Sequence, residues 1–202
     1  MNFSEKWIHA QNGGHKQTFI GHVNSKSTNH PFRYIISDAM EIIPNQHYDK
    51  ILDIGCGDGW GANYLKERFT AKEAHGITIS ETEKQWAQDS YPDIQVKVMD
   101  AHDLQYPDAY FDLIVSRDSF EHLLSPFLAL NEMWRVSKLG ALLMIAVPLG
   151  FWRTWDEHLL VPDQEQMTHL LKLSGFELLK YEEFEYPPDI ALTQGKYLAR
   201  KV

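Results

Sequence analysis

The stretch ILDIGCGDGWG, residues 51–61, constrains the fold more than any other part of this sequence. An apolar run leads into an acid, Asp53, after which Gly55, Gly57 and Gly59 alternate before the helical pattern WGANYLKERF begins. A buried strand, a glycine turn and a helix in that order open a βαβ unit. Glycine lets the chain turn sharply and lets a ligand approach where a Cβ would collide. In open α/β sheets such loops sit at the carboxyl ends of the strands, where ligands bind. The dinucleotide fingerprint G-x-G-x-x-G would need glycine at position 60, which is Trp60.

The rest of the chain continues the alternation. PFRYIISDAMEII (31–43) carries a helical repeat with proline near its start, and KILDIG reads as a buried strand. EAHGITI predicts a second strand, followed by a helix over SETEKQWAQDS with Ser80 as its N-cap. IQVKV and FDLIVS predict the third and fourth strands, SPFLALNEMWRVS a helix and GALLMIAVP the fifth strand. After a Trp-rich loop, PDQEQMTHLLKLSG predicts a helix capped by Asp163 and stopped by Gly175. FELLKYEEFEY and GKYLARKV are two more strands, and PPDIALTQ between them is too short for a helical crossover. That last pair should therefore be antiparallel. The expected fold is α/β: a doubly wound, Rossmann-like, seven-stranded, mostly parallel sheet with an antiparallel last strand and helices on both faces.

At 202 residues, 44% hydrophobic and 23% charged, the chain suits one soluble domain with a real core. Residues 1–30 are polar, with His9, His15, His22 and His30, and read as an N-terminal arm or lid ahead of a domain over 31–202. The net charge of −9 argues against a general nucleic-acid surface, and the cation runs are short (Lys66 to Arg68, Arg200-Lys201). A single cysteine, Cys56, excludes an internal disulfide framework and fits a reducing, cytoplasmic setting. No run reaches membrane-spanning length, so membrane insertion is not expected.

A second stretch, SRDSFEHLL (116–124), packs two acids and a histidine into five positions. Asp118, Glu121 and His122 fall at i, i+3 and i+4, so a helical turn would place all three on one face. Buried without partners they would cost several kcal/mol, on the order of the net stability of a domain. The cluster therefore holds a proton, a metal ion or the loop itself.

Asp53-Ile54-Gly55-Cys56-Gly57-Asp58-Gly59 resembles the first motif of class I S-adenosylmethionine (SAM)-dependent methyltransferases. The resemblance runs from about residue 32 to the end, through MDAHDL, FDLIVSRDSFEHL and LNEMWRVSKLGALLMIAVP. It implies SAM as cofactor. Gly55 and Gly57 would lie against its methionine and ribose parts, with Cys56 between them. Asp53 would accept from the ligand's amino group through water, or else brace the turn. Asp100 would accept from the adenine amino group, or cap the next turn, and Ala101 would offer its N–H to the ring. Ile79 and Ser116 complete the implied cofactor set. The family places an acid for the ribose hydroxyls where this chain has Thr78. GITIS resembles the corresponding strand of cyclopropane-fatty-acid synthases, and Glu81 or Glu83 could supply the carboxylate.

Residues 118–122 also resemble the E-x-x-E-H pattern of ubiquinone-pathway O-methyltransferases and small-RNA 2′-O-methyltransferases, with an aspartate first. The resemblance implies a divalent ion (Mg, Mn, Fe or Zn) held by Asp118, Glu121, His122 and His158. The alternatives are His122 as a metal-free general base, with His158 touching the substrate, and a purely structural cluster in which Glu121 caps or braces the loop. Phe151, Trp152, Trp155, Trp7 and Phe19 crowd the expected mouth, as an acceptor pocket or a self-packed lid. The expected activity is methyl transfer from SAM to a small molecule, at oxygen before nitrogen or carbon; a lipid or metabolite acceptor fits the latter. The rivals are a SAM- or SAH-binding module without turnover and an NAD-linked dehydrogenase, the last opposed by Trp60.

Overall fold

The computed structural model describes residues 37–149, 158–185 and 193–202. Seven strands form one sheet: β1 (Lys50–Ile54), β2 (Glu73–Thr78), β3 (Gln95–Val98), β4 (Phe111–Arg117), β5 (Ser137–Leu149), β6 (Phe176–Glu185) and β7 (Thr193–Lys201). Their order is β3-β2-β1-β4-β5-β7-β6, with β1 to β5 parallel and β7 antiparallel to both neighbours. The strand order reverses between β1 and β4, and a ligand crevice opens beyond the carboxyl ends at such a reversal.

Side-chain alternation in the strands builds two core layers. On β4 and β5, Ile114, Leu143, Ile145 and Val147 pack on one face with Ala129, Leu130 and Met133 of α3 (Pro126–Val136) and Met167 and Leu171 of α4 (Gln164–Leu173). Their neighbours Leu113, Val115, Leu142 and Met144 face the other way, against Leu65 and Phe69 of α1 (Trp60–Phe69). A strand turns successive side chains to opposite faces, so a run apolar at every position is buried on both sides.

The helices begin where the sequence places them. The Ser80 hydroxyl accepts from the Glu83 amide at 3.3 Å and opens α2 (Glu81–Ser90). Asp163 and Gln166 close a reciprocal capping box on α4, each accepting from the other's backbone at 2.8 and 3.0 Å. Gly175, at φ 80°, ends the helix. The helix expected over 31–43 falls partly outside the described residues, whose part of it ends in a short 3-10 turn at Met40–Ile42. The arm over 1–30 lies outside them entirely. Among the described residues no helix is long and apolar enough to cross a membrane.

Candidate active site

A cleft with about 940 Å³ of empty space lies at the carboxyl ends of β1, β2 and β4. Its floor is the glycine loop. Gly55 sits at φ 72°, and a Cβ there would fall 2.4 Å from the Ser119 Cβ. Glycine at that position therefore lets the β4 loop close directly onto the β1 loop. The contact is latched by Ser119, whose hydroxyl donates to the Ile54 carbonyl at 2.8 Å and bonds the Ser116 hydroxyl at 2.8 Å. The Gly55 and Cys56 amides are both held by the Ile77 carbonyl at 2.9 Å.

Of the expected cofactor residues, Gly55, Gly57, Thr78, Ile79, Asp100 and Ala101 line the cleft. Asp53, Cys56 and Ser116 do not. Ser116 is buried on Ser119, and Cys56 packs under the loop, where its sulfur would lie 2.5 Å from a Cβ on Gly76. Asp53 is fully buried with its nearest cation, Arg117 Nη2, at 4.0 Å. Neither Asp53 oxygen has a hydrogen bond, and burial pushes the carboxyl up to about 6 against the pull of Arg117. A Cβ on Gly61 would lie 2.5 Å from Arg117 Nη2 and 2.8 Å from Asp53 Oδ2, so that glycine makes room for the pair.

Two residues sharpen the cofactor reading. Glu83 turns inward from the first turn of α2, lines the cleft, and accepts a hydrogen bond from Thr78 Oγ1. Glu81, the other expected substitute, is exposed and pairs with Lys84 at 3.1 Å. His102, which sequence reasoning missed, also lines the cleft. Its Nε2 accepts from the Ser125 amide at 3.1 Å, so its proton sits on Nδ1, which donates to Asp100 Oδ1 at 2.5 Å. That bond holds the Asp100 carboxyl below its usual range and orients it. The signal was a histidine two residues after the motif acid in MDAHDL.

The acid-histidine cluster differs from a single helical face. Asp118 sits at φ 45°, ahead of a 3-10 turn at Phe120–His122. Its Oδ1 accepts from Gln194 Nε2, far along the chain on β7, and no local pattern pointed to that partner. Glu121, His122 and His158 come together instead, with one ligand atom from each within 4.8 Å of the others. The imidazole centroids are 5.0 Å apart, and His122 Nε2 lies 3.9 Å from Glu121 Oε1. His158 is held in place because the Leu159 and Leu160 amides donate to the Glu121 carbonyl at 2.8 and 3.4 Å. The expected four-ligand grouping is thus three residues, with Asp118 engaged elsewhere.

Glu121 is buried, and its Oε2 has no hydrogen bond. Burial pushes its carboxyl well up, and Asp118 nearby pushes it further; burial also raises Asp118. His122 and Asp118 line the cleft, while Glu121 and His158 do not. Phe151, Trp152, Trp155, Trp7 and Phe19, expected at the mouth, lie outside the described residues.

Residues 52–145 match a family model described as a methyltransferase domain. The chain is 33% identical over 114 residues to the 2-methyl-6-phytyl-1,4-hydroquinone methyltransferase of Synechocystis, covering 50% of this chain and 36% of that protein. It is 33% identical over 102 residues to the chloroplastic tocopherol O-methyltransferase of Arabidopsis thaliana, covering 48% of this chain and 29% of that one. The matches at the head of the comparison cover 34% and 52% of the relative's length, so the chain spans about a third to a half of the curated relatives it matches. Among solved structures, a SAM-dependent methyltransferase from Aquifex aeolicus superposes with a TM-score of 0.68 at 20% identity, over 83% of this chain and 89% of that one.

Proposed function

We propose that this chain, a member of the class I SAM-dependent methyltransferases, moves the methyl group of SAM to the oxygen of a hydroxyl-bearing small molecule. The observation that carries the reading is one cleft lined by the glycine loop, Asp100 and Ala101 at one end and by His122 at the other. Asp100, oriented by His102, accepts from the adenine amino group, and the Ala101 amide meets the ring edge. Glu83 takes the ribose hydroxyls in place of the acid missing at Thr78. Gly55 and Gly57 bring bare backbone against the methionine part. Asp53 braces the β1 turn through Arg117, outside the cleft.

In the transfer, the acceptor oxygen attacks the methyl carbon in line and the carbon–sulfur bond breaks, leaving S-adenosylhomocysteine (SAH). The hydroxyl proton passes to His122, so the positive charge lost by the sulfonium reappears on the imidazole. The relative named for a hydroquinone supports a hydroxyl-bearing ring compound as acceptor, and the one named a tocopherol O-methyltransferase supports oxygen as the atom. Incubation with methyl-labelled SAM and a panel of phenols and hydroquinones, followed by mass-spectrometric location of the label, tests this. Label on ring oxygen is expected; label on ring carbon or nitrogen would overturn the O-transfer assignment, and tight SAH binding without transfer would favour a non-catalytic module.

The residues also fit a divalent ion. Two imidazoles and a carboxylate with an unengaged oxygen make a donor set of the kind that holds Zn²⁺ or Fe²⁺ with positions left open. When bound, such an ion lowers the pKa of a coordinated hydroxyl. Titration calorimetry of Mn²⁺ into EDTA-treated, SAH-saturated protein should show one site, lost in His158→Ala. Binding that survives in His158→Ala would place the ion elsewhere, and absence of binding with and without a phenol would leave His122 as a metal-free base.

A further inference from the structure

We propose that the acceptor is amphiphilic, its hydroxylated head reaching His122 while an alkyl or prenyl tail leaves over an apolar rim made by Leu123, Leu124, Phe127, Leu128, Leu159 and Leu160. The inference rests on the methyl-transfer reading and names the substrate class of that site. Leu123 and Leu124 line the cleft immediately after His122, and the rim continues from them into the first turn of α3. Phe127 and Leu128 are 42% and 54% exposed there. On the other side, Leu159 and Leu160 follow His158, are each 42% exposed, and are tied to the Glu121 carbonyl. Both sides root in the same core, through Leu123, Ala129, Leu130 and Val161. The rim thus flanks the acid-histidine cluster on both chain segments that build it.

Its composition is unlike that of the α2 and α4 openings. The exposed first-turn residues are Glu81 and Thr82 on α2, and Gln164, Glu165 and Gln166 on α4. On α3 they are phenylalanine and leucine. Neither LLSPFLAL (123–130) nor LLVP (159–162) has an ionisable side chain, in a chain that is 23% charged. Contiguous exposed apolar surface costs solubility and marks a binding function. Here Leu123 and Leu124 belong to the cleft where the acceptor head would sit, Phe127 and Leu128 follow them along the chain, and Leu159 and Leu160 are bonded to Glu121 beside His122, so the occupant is the rest of the same molecule. A tail lying on it would bury methylenes otherwise held in water.

The experiment titrates phenol and 4-decylphenol into SAH-saturated protein by calorimetry, for the wild type and for Phe127→Asp with Leu128→Asp. One-to-one binding of decylphenol, about a hundredfold tighter than phenol, is expected, as burial of only a few methylenes requires. The double variant should lose at least tenfold of that preference. Equal affinities, or a preference intact in the variant, would overturn the proposal. Leu160→Asp, on the opposite side of the rim, gives the same reading should the double variant not fold. Sedimentation of the wild type in parallel would overturn it too, if a dimer forms that the rim variants disperse. Methyl transfer to decylphenol is scored separately: tight, rim-dependent binding without transfer would defeat the methyl-transfer reading and leave the rim assignment standing.

Discussion

The two ends of the cleft are built in different ways. The cofactor end comes from short contiguous motifs: the β1 glycine loop, Thr78 with Glu83 five residues on, and Asp100 with His102 two residues on. Its polar groups are paired before any ligand arrives. The acceptor end joins Glu121 and His122 to His158, and draws Asp118 to Gln194. There a buried carboxyl oxygen has no hydrogen bond, and burial raises both carboxyls. One end has its carboxylates Glu83 and Asp100 hydrogen-bonded within the protein; the other keeps one buried carboxyl oxygen, Glu121 Oε2, without a hydrogen bond, which is costly in a fold.

The strongest way to break that contrast is His122→Ala. Turnover should fall about 10²- to 10⁴-fold, the span of a lost general base, while SAH affinity by calorimetry stays within about threefold. Turnover near the wild-type rate would remove His122 from the chemistry.

Asp53 lies where β1 meets β4, between the two ends, and supplies a pH test. Its folded pKa is raised to about 6 from an ordinary carboxyl value of 3.8, so the folded state binds the proton more tightly than the unfolded state. Its contribution to stability is complete below pH 3.8 and is lost as pH rises through 6. Over that window the wild type should lose up to about 3 kcal/mol relative to Asp53→Asn in denaturant melts. Parallel pH profiles for the two proteins would mean that Asp53 titrates normally and that Arg117 already satisfies it.

Within the cofactor end, Asp100→Ala should weaken SAH binding about 10- to 100-fold, the worth of a hydrogen bond to a charged group, with kcat at saturating SAM nearly kept. Unchanged affinity would move the adenine elsewhere. The smallest effect sharpens the contrast most. His102→Leu should weaken SAH only about two- to tenfold, because the Asp100 carboxylate stays and only the bond that orients it is lost, yet should also raise KM for the acceptor, because Ser125 at the head of α3 loses its partner. An effect on SAH alone would separate the two ends completely.

The fold was legible because period-two and helical patterns, caps and the Gly175 stop are local. Which of the expected cofactor residues reach the cleft follows partly from the same locality: Gly55, Gly57, Thr78, Ile79, Asp100 and Ala101 sit at fixed offsets from strand ends and line it. Side-chain direction was not legible. Asp53 and Cys56 belong to the glycine motif, yet the pleat turns Asp53 under α1 toward Arg117, and the Ile77 carbonyl pulls the Cys56 backbone so that its thiol packs on Gly76. Asp118 looked equivalent to Glu121 by spacing, but its positive φ and a glutamine on β7 take it out of the cluster. No pattern within a few residues carries a contact made across the sheet.

The pair of hydrogen bonds that the Leu159 and Leu160 amides donate to the Glu121 carbonyl bears on how such a protein can be remodelled. Leu149, in register with Thr193 on β7, and Leu159, on Glu121, are two anchors among the described residues. Both anchors are backbone contacts, indifferent to which side chains lie between them. His158 keeps its place beside His122 through main-chain bonds, so substitutions among the neighbouring side chains can accumulate without moving the imidazole.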